Sequence, residues 1–154
     1  MKIDVILTPA ETTAAAMAGR VVVVLDILRA STSIVRALHE GAKSVLPVAS
    51  IEEALRLANT FGRDEVLLAG ERRCLPIEGF DLGNSPREMT RDKVGGKILV
   101  MTTTNGTAAM ALTVNSSKVF IGSMLNVSAV VDELVRLEAD PVFLAARRHQ
   151  QLYR

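Results

Sequence analysis

Short apolar runs, rich in β-branched residues, recur along the chain. They occupy residues 3–7, 21–25, 44–48, 66–68, 98–101, 119–121 and 142–144. Runs of this length without polar alternation are typical of strands that are buried on both faces of a sheet.

Segments with helical spacing separate several of these runs. Apolar residues recur every three or four positions around residues 30–38, 51–58 and 127–134. Ser50 and Glu53 have the spacing of a capping box, and Gly41 and Gly62 lie where two helices should end. Strands that alternate with helices predict an α/β fold with three layers, α/β/α, around a mainly parallel or mixed sheet.

One stretch, between Ala69 and Val94, has no clear amphipathic pattern. A loop of that length is uncommon in a compact domain unless it is functional or disordered, and its apolar content argues against disorder. We expect it to cover a site.

Composition narrows the class of protein. The 154 residues are 49% hydrophobic, which is enough for one domain with an ordinary core. The 18 basic residues nearly balance the 17 acidic ones, so no overall positive field favours binding to nucleic acid. A small anionic ligand stays compatible with this balance, because a few arginines in one pocket need not change the net charge.

The chain has one cysteine, Cys74, which suits a reducing compartment and predicts a cytoplasmic protein. We interpret Cys74 as a small packing residue. Asp4, Pro9 and Glu11 interrupt the apolar run that a signal peptide needs, and residues 21–25 are too few to cross a bilayer. No membrane association is expected.

Polar residues follow four of the predicted strands, where ligands of open α/β sheets bind. They are Asp26, Arg29, Ser31, Thr32 and Ser33 after the second run, Glu71 and Arg72 after the fourth, Thr102 to Thr107 after the fifth, and Ser123 and Asn126 after the sixth.

Asp26 ends a strongly apolar strand, where a carboxylate is either desolvated or paired with a positive group. Mg²⁺ is one such group, since it takes few carboxylates and completes its coordination with water and substrate oxygens. The alternative is an ion pair with Arg29 or a helix cap. Ser31 and Thr32 likewise fit either helix capping or anion binding.

The run Thr102 to Thr107 presents hydroxyls beside an Asn-Gly turn, and we favour oxyanion binding over a merely capped turn. Arg29 and Arg72 could clamp a phosphate or a sulfonate, although surface ion pairing with Glu71 or Asp81 is an open alternative. Arg73 and Arg87 are interpreted as solvated charge.

Several known phosphatase chemistries do not match. A cysteine phosphatase needs an arginine six positions after its nucleophile, and that position holds Phe80. An Asp-x-Asp pattern would need an acid at Leu28, and no P-loop pattern occurs. The chain contains two histidines, too few for a zinc site of several imidazoles.

The loops taken together resemble the 2-phosphosulfolactate phosphatase family. The resemblance rests on residues 25–32, 70–72, 76–86, 102–107 and 122–126. It implies Mg²⁺-dependent hydrolysis of 2-phospho-3-sulfolactate to sulfolactate and phosphate, a step toward coenzyme M.

The resemblance also implies roles for individual residues. Asp26, Glu71 and Asp81 are the catalytic candidates, with Asp26 and Glu71 holding Mg²⁺; either water or Asp26 is the attacking group. The anionic ends of the substrate would be held by Arg29, Ser31, Thr32, Arg72, Asn84, Ser85, Thr103, Thr104, Asn105, Gly106, Thr107, Ser123 and Asn126.

The tail departs from the family. We expect residues 1–146 to form the family domain, and residues 147–154 to be a polar tail produced by truncation or a shifted reading frame. Missing strands would leave an exposed sheet edge, which favours self-association into a homo-oligomer. The alternatives to an active enzyme are a non-catalytic anion-binding domain and an inactive fragment.

Overall fold

The structure, a computed structural model, describes residues 1–146, so the predicted polar tail lies outside the described residues. Its strands are β1 (Asp4–Ile6), β2 (Val21–Leu25), β3 (Ser44–Pro47), β4 (Val66–Arg72), β5 (Leu75–Pro76), β6 (Ile98–Thr102), β7 (Lys118–Gly122) and β8 (Val142–Ala145). Its helices are α1 (Ala14–Met17), α2 (Ala30–His39), α3 (Ile51–Ala58), α4 (Arg91–Val94), α5 (Gly106–Ala111) and α6 (Val127–Arg136), with a 3-10 helix at Pro9–Glu11. Each predicted strand and each predicted helix is present, which confirms the α/β class.

The strands form two four-stranded sheets, in the orders β1-β8-β2-β7 and β3-β6-β4-β5. All pairs are parallel except β4 with β5, which form an antiparallel hairpin. The sequence pattern predicted one sheet. Two sheets form because α2 and α5 each contact a strand of both. Their fully buried alanines, Ala30, Ala37 and Ala109, leave room for a sheet on either side.

The core follows this layering. Val22 and Val24 of the first sheet share a cluster with Leu99 and Met101 of the second, around the helices between them. The intervening Val23 points the other way and packs under α6, as Val100 packs under α3. Strand residues alternate between faces, so apolar runs without polar alternation correspond to strands covered on both sides.

Two predicted helix boundaries have a local cause. Ser50 accepts a hydrogen bond from the Glu53 backbone N–H at the start of α3, at 3.1 Å, as the capping pattern predicted. Gly41 follows α2 with φ of 93°, a left-handed conformation that glycine adopts without strain. Within residues 1–146, no helix combines the length and apolar character needed to cross a membrane.

Close packing brings the starts of α2 and α5 together. A Cβ atom at Gly106 would lie 2.6 Å from Cβ of Ala30 and 2.7 Å from Oδ2 of Asp26. Only glycine permits this approach. The carboxyl end of β2 in the first sheet therefore meets the carboxyl ends of β4 and β6 in the second.

Candidate functional site

A small cleft of about 70 Å³ lies where these strand ends meet. Its walls come from the turn after β2, the β4–β5 hairpin and the loops after β5 and β6. The lining residues are Asp26, Leu28, Arg29, Glu71, Arg73, Cys74, Asn84, Thr104 and Asn105. The structure thus brings together six of the residues predicted from sequence, which are Asp26, Arg29, Glu71, Asn84, Thr104 and Asn105.

Asp26 is held by its backbone. Its N–H donates to the buried Ser31 hydroxyl at 2.8 Å, and the Ser31 N–H donates back to the Asp26 carbonyl at 2.9 Å. Thr32 donates its hydroxyl to the Ile27 carbonyl at 2.7 Å. Ser31 and Thr32 therefore stabilise the turn between β2 and α2, and their hydroxyls are engaged within it.

The Asp26 carboxylate is short of positive partners. Burial raises its pKa, and the negative charge of Glu71 adds to that effect. The N–H groups of Ala30 and Arg29, together with the Arg29 charge, only partly oppose the rise. Ionised Asp26 is therefore a poorly compensated charge facing the cleft, and a cation or a proton would stabilise it.

The Glu71 carboxylate, by contrast, is well supplied with hydrogen-bond donors. It is only 7% exposed, yet its Oε1 accepts from the Thr104 N–H at 2.7 Å. Its Oε2 accepts from the Cys74 N–H at 2.7 Å and from the Thr104 hydroxyl at 2.9 Å. Burial alone would raise the pKa of Glu71, but these bonds and the charge of Arg72 outweigh it, so the pKa lies below its usual value.

The β4–β5 connection consists of Arg73 and Cys74, both with positive φ, 53° and 68°. A two-residue hairpin with this backbone normally carries Asn-Gly, so the residue types Arg and Cys do not indicate a turn here. Cys74 is exposed at the cleft, and the prediction that it is a packing residue is wrong. Arg73, interpreted from sequence as solvated charge, lines the same cleft.

Arg72 points elsewhere. Its guanidinium donates to the Thr102 hydroxyl at 2.7 Å, to the Ala49 carbonyl at 3.3 Å and to the Glu71 carbonyl at 3.0 Å. These bonds tie β4 to β6 and to the loop before α3. Arg72 was predicted to clamp an anion, but within the described residues it does not line the cleft, and the neighbouring Arg73 does.

The threonine run is divided between two tasks. Thr103 and Thr107 are buried and bond each other reciprocally, each backbone N–H donating to the other hydroxyl at 3.1 Å. Their hydroxyls are thus used inside a capped turn, the alternative to oxyanion binding, and Gly106 serves the close packing at Asp26. Thr104 and Asn105 are the residues of this run that reach the cleft.

Asn84 has a buried side-chain oxygen that accepts no hydrogen bond from residues 1–146. It is 6% exposed, and its Oδ1 has no hydrogen-bond partner within the described structure. The Ser33 hydroxyl fixes its backbone by donating to the Asn84 carbonyl at 3.0 Å. Buried polar atoms are rarely left unbonded, and Asn84 is among the residues that line the cleft, so its side chain is a candidate contact for a ligand.

Four further predicted residues, Asp81, Ser85, Ser123 and Asn126, do not line the cleft of residues 1–146 either. Asp81 is exposed and accepts from the Leu68 N–H at 2.7 Å. Ser85 accepts from the Arg87 N–H at 3.3 Å. Ser123 donates its N–H and its hydroxyl to Asn126 Oδ1, at 2.8 and 3.1 Å, which orders the loop after β7.

The possible metal ligands among the residues that line the cleft are mainly oxygens, with the Cys74 thiol as the one sulfur among them. Across residues 1–146 no group of three or more His, Cys, Asp and Glu side chains is placed to hold a metal ion. A site of that kind does not suit zinc, which takes three or four protein ligands. The Asp26 carboxylate, whose charge is poorly compensated at the cleft, fits Mg²⁺, which needs few protein ligands because it keeps several waters and binds substrate oxygens.

The family model and the similar proteins that match this chain share one description. A family model described as 2-phosphosulpholactate phosphatase matches residues 6–152. A probable 2-phosphosulfolactate phosphatase of Clostridium beijerinckii is 41% identical over 146 residues, which are 95% of this chain and 61% of that protein. A protein of the same description from Clostridium acetobutylicum is 44% identical, over 95% of this chain and 62% of that protein. The protein of that description from Caldanaerobacter subterraneus is 49% identical over 125 residues, which are 81% of this chain and 52% of that protein. The chain spans less than two thirds of the length of these relatives.

Proposed function

Because the chain belongs to the 2-phosphosulpholactate phosphatase family, we propose that it hydrolyses the phosphate monoester of 2-phospho-3-sulfolactate to 3-sulfolactate and phosphate. The observation that carries this proposal is the cleft itself, in which Asp26, Asn84 and two arginines from different loops converge. Such a reaction would place the protein on the route to coenzyme M.

The two guanidinium groups suit the two strongly anionic ends of this substrate. Arg29 lies close enough to Asp26 for its charge to oppose the rise in the Asp26 pKa, so we assign it to the phosphoryl group. Arg73, exposed at the tip of the hairpin, is assigned to the sulfonate. Guanidinium binds either group through paired hydrogen bonds, which fix orientation as well as charge.

We assign Asp26 to holding Mg²⁺, with Asn84, which lines the same cleft, as a second contact to the ion or to its waters. Three protein donors already occupy the Glu71 carboxylate, which makes it a weaker candidate ligand than the sequence predicted. Bound Mg²⁺ would supply charge neutralisation and Lewis acidity toward the phosphoryl oxygens. In the net reaction a water oxygen bonds to phosphorus, the bond from phosphorus to the substrate oxygen breaks, and the alcohol gains a proton. Arg29 stabilises the charge that develops on the phosphoryl oxygens.

Phosphate release by the purified chain tests the proposal. With Mg²⁺, we expect kcat/KM for 2-phospho-3-sulfolactate to exceed that for 2-phospholactate, which lacks the sulfonate, by about tenfold or more, the scale of one charged hydrogen-bonded contact. Equal values would contradict the assignment of Arg73. Binding of sulfolactate without phosphate release from either compound would instead identify a non-catalytic anion-binding domain.

A further inference from the structure

The β4–β5 turn holds a backbone that its residues disfavour. Arg73 and Cys74 both have left-handed φ values, where the Cβ atom of an L residue crowds the backbone. Glycine or asparagine normally occupies these positions of a two-residue hairpin. Strained backbone of this kind persists only where the surroundings enforce it, and it is concentrated at functional sites.

The surroundings that enforce it can be named. Glu71 Oε2 accepts from the Cys74 N–H at 2.7 Å, across the turn. The Arg73 N–H donates to the Thr104 hydroxyl at 3.0 Å, and that hydroxyl donates to the same Glu71 oxygen at 2.9 Å. Both N–H groups of the turn are therefore tied, directly or through Thr104, to one carboxylate.

Glu71 is itself fixed from the neighbouring strand. Its Oε1 accepts from the Thr104 N–H at 2.7 Å, and β4 and β6 are parallel neighbours with Gly70 beside Thr102. A carboxylate accepts only, so it can satisfy three donors at once, which glutamine cannot do with one carbonyl oxygen. The position requires the charged form of the side chain and not merely its size.

We propose that Glu71 is a positioning residue that holds the Arg73-Cys74 turn in its left-handed conformation and so directs Arg73 into the cleft. Arg73 then determines the preference for a second anionic group on the substrate. This inference rests on the proposed function only for the identity of that group, the sulfonate. A ligand or proton-transfer role for Glu71 is a different claim, and the two can be separated by substitution.

The separating experiment uses Cys74→Gly to relieve the turn. Glu71→Gln should weaken binding of 3-sulfolactate, measured by calorimetry, by about tenfold, or 1.4 kcal/mol. Cys74→Gly in that background should recover at least about threefold, because glycine adopts the left-handed conformation without a clamp. Glu78→Gln, at an exposed glutamate in the loop that follows β5, is the matched control. Failure of Cys74→Gly to restore any binding would overturn the proposal, because a lost ligand or proton carrier is not replaced by a relaxed turn.

A second readout does not depend on binding. Hydrogen exchange at the Cys74 amide should be protected in the unaltered chain and fast in Glu71→Gln. Cys74→Gly alone should raise the melting temperature, because it removes strain while Glu71 stays in place. A lower melting temperature for Cys74→Gly would contradict the strain argument even where Glu71→Gln does not fold. Absence of phosphate release would defeat the proposed function and leave these tests of the turn unaffected.

Discussion

Asp26 and Glu71 face one cleft from two different sheets, and the protein treats them in opposite ways. Glu71 receives three hydrogen bonds from Thr104 and Cys74, and its pKa is lowered. Asp26 is partly buried with fewer partners, lies near the Glu71 charge, and its pKa is raised. The fold thus supplies hydrogen-bond donors that stabilise the Glu71 charge, and it leaves the Asp26 charge poorly compensated.

This contrast separates a structural carboxylate from a functional one. A carboxylate whose lone pairs are filled by the protein stabilises the fold and has little capacity left for a ligand. A carboxylate held in a cleft with its charge poorly compensated lowers stability until something binds, as is common at functional sites. By this criterion Asp26 is the centre of the proposed chemistry and Glu71 its support.

Replacing Asp26 should have the largest effect. Asp26→Asn is expected to lower kcat/KM for Mg²⁺-dependent phosphate release by at least about 10²-fold, the scale of losing one preorganised charged group at a reacting phosphoryl. Asp81→Asn is the matched control, since Asp81 bonds the Leu68 amide and should retain activity near that of the unaltered chain. Comparable losses in both variants would show that the site is not centred on Asp26.

Glu71→Gln should destabilise the fold, by about 2 kcal/mol at neutral pH, since a charged group loses hydrogen bonds in a buried site. The lowered pKa of Glu71 means that its contribution is present above the ordinary glutamate pKa and is lost as pH falls through the folded value. Urea unfolding at pH 7 and near pH 3 should show the difference between Glu71→Gln and the unaltered chain shrinking in acid. A difference that is constant or grows in acid would remove Glu71 from its supporting role.

Gly106→Ala should act on Asp26 through packing. The added Cβ would meet Cβ of Ala30 and Oδ2 of Asp26, neither of which can move freely, so we expect a loss of about 1–3 kcal/mol. The shift of melting temperature on adding Mg²⁺ should shrink as well. Gly62→Ala is the control, because its nearest contacts are to the flexible Glu65 side chain at 3.4 Å or more. An unchanged Mg²⁺ shift in Gly106→Ala would show that Asp26 does not bind the ion.

Much of the fold was predictable from the sequence. The apolar runs predict the strands, because a strand that is covered on both faces reads as a continuous apolar run. The division into two sheets was not predictable, since it depends on how closely α2 and α5 pack, through Ala30 and Gly106. The hydrophobic pattern along the sequence indicates where strands lie, but it does not indicate how closely the helices and sheets pack.

The candidate site was predictable where polar residues follow the end of a strand, and at Asn84 through the family resemblance alone. Asp26, Arg29, Glu71 and Thr104 were found in this way, and all four line the cleft. Arg73 was missed because the hairpin lacks the usual Asn-Gly signal, so nothing indicated that the chain turns after Arg72. Similar residues with different partners, such as Thr103 and Thr104, cannot be told apart without the structure.

Thermal melts of two metal-free variants at pH 7 test the contrast between the carboxylates most directly. The raised pKa of Asp26 means that the cost of its charge grows as pH rises above the ordinary aspartate pKa and is fully present above the folded pKa, so Asp26→Asn should melt above the unaltered chain. Glu71→Gln should melt below it, because its ionised carboxylate supports folding. Shifts of opposite sign, a few degrees each for a chain of this size, are the predicted result. If both variants melt lower, or Asp26→Asn alone does, Asp26 is a satisfied structural residue and the proposed site is wrong.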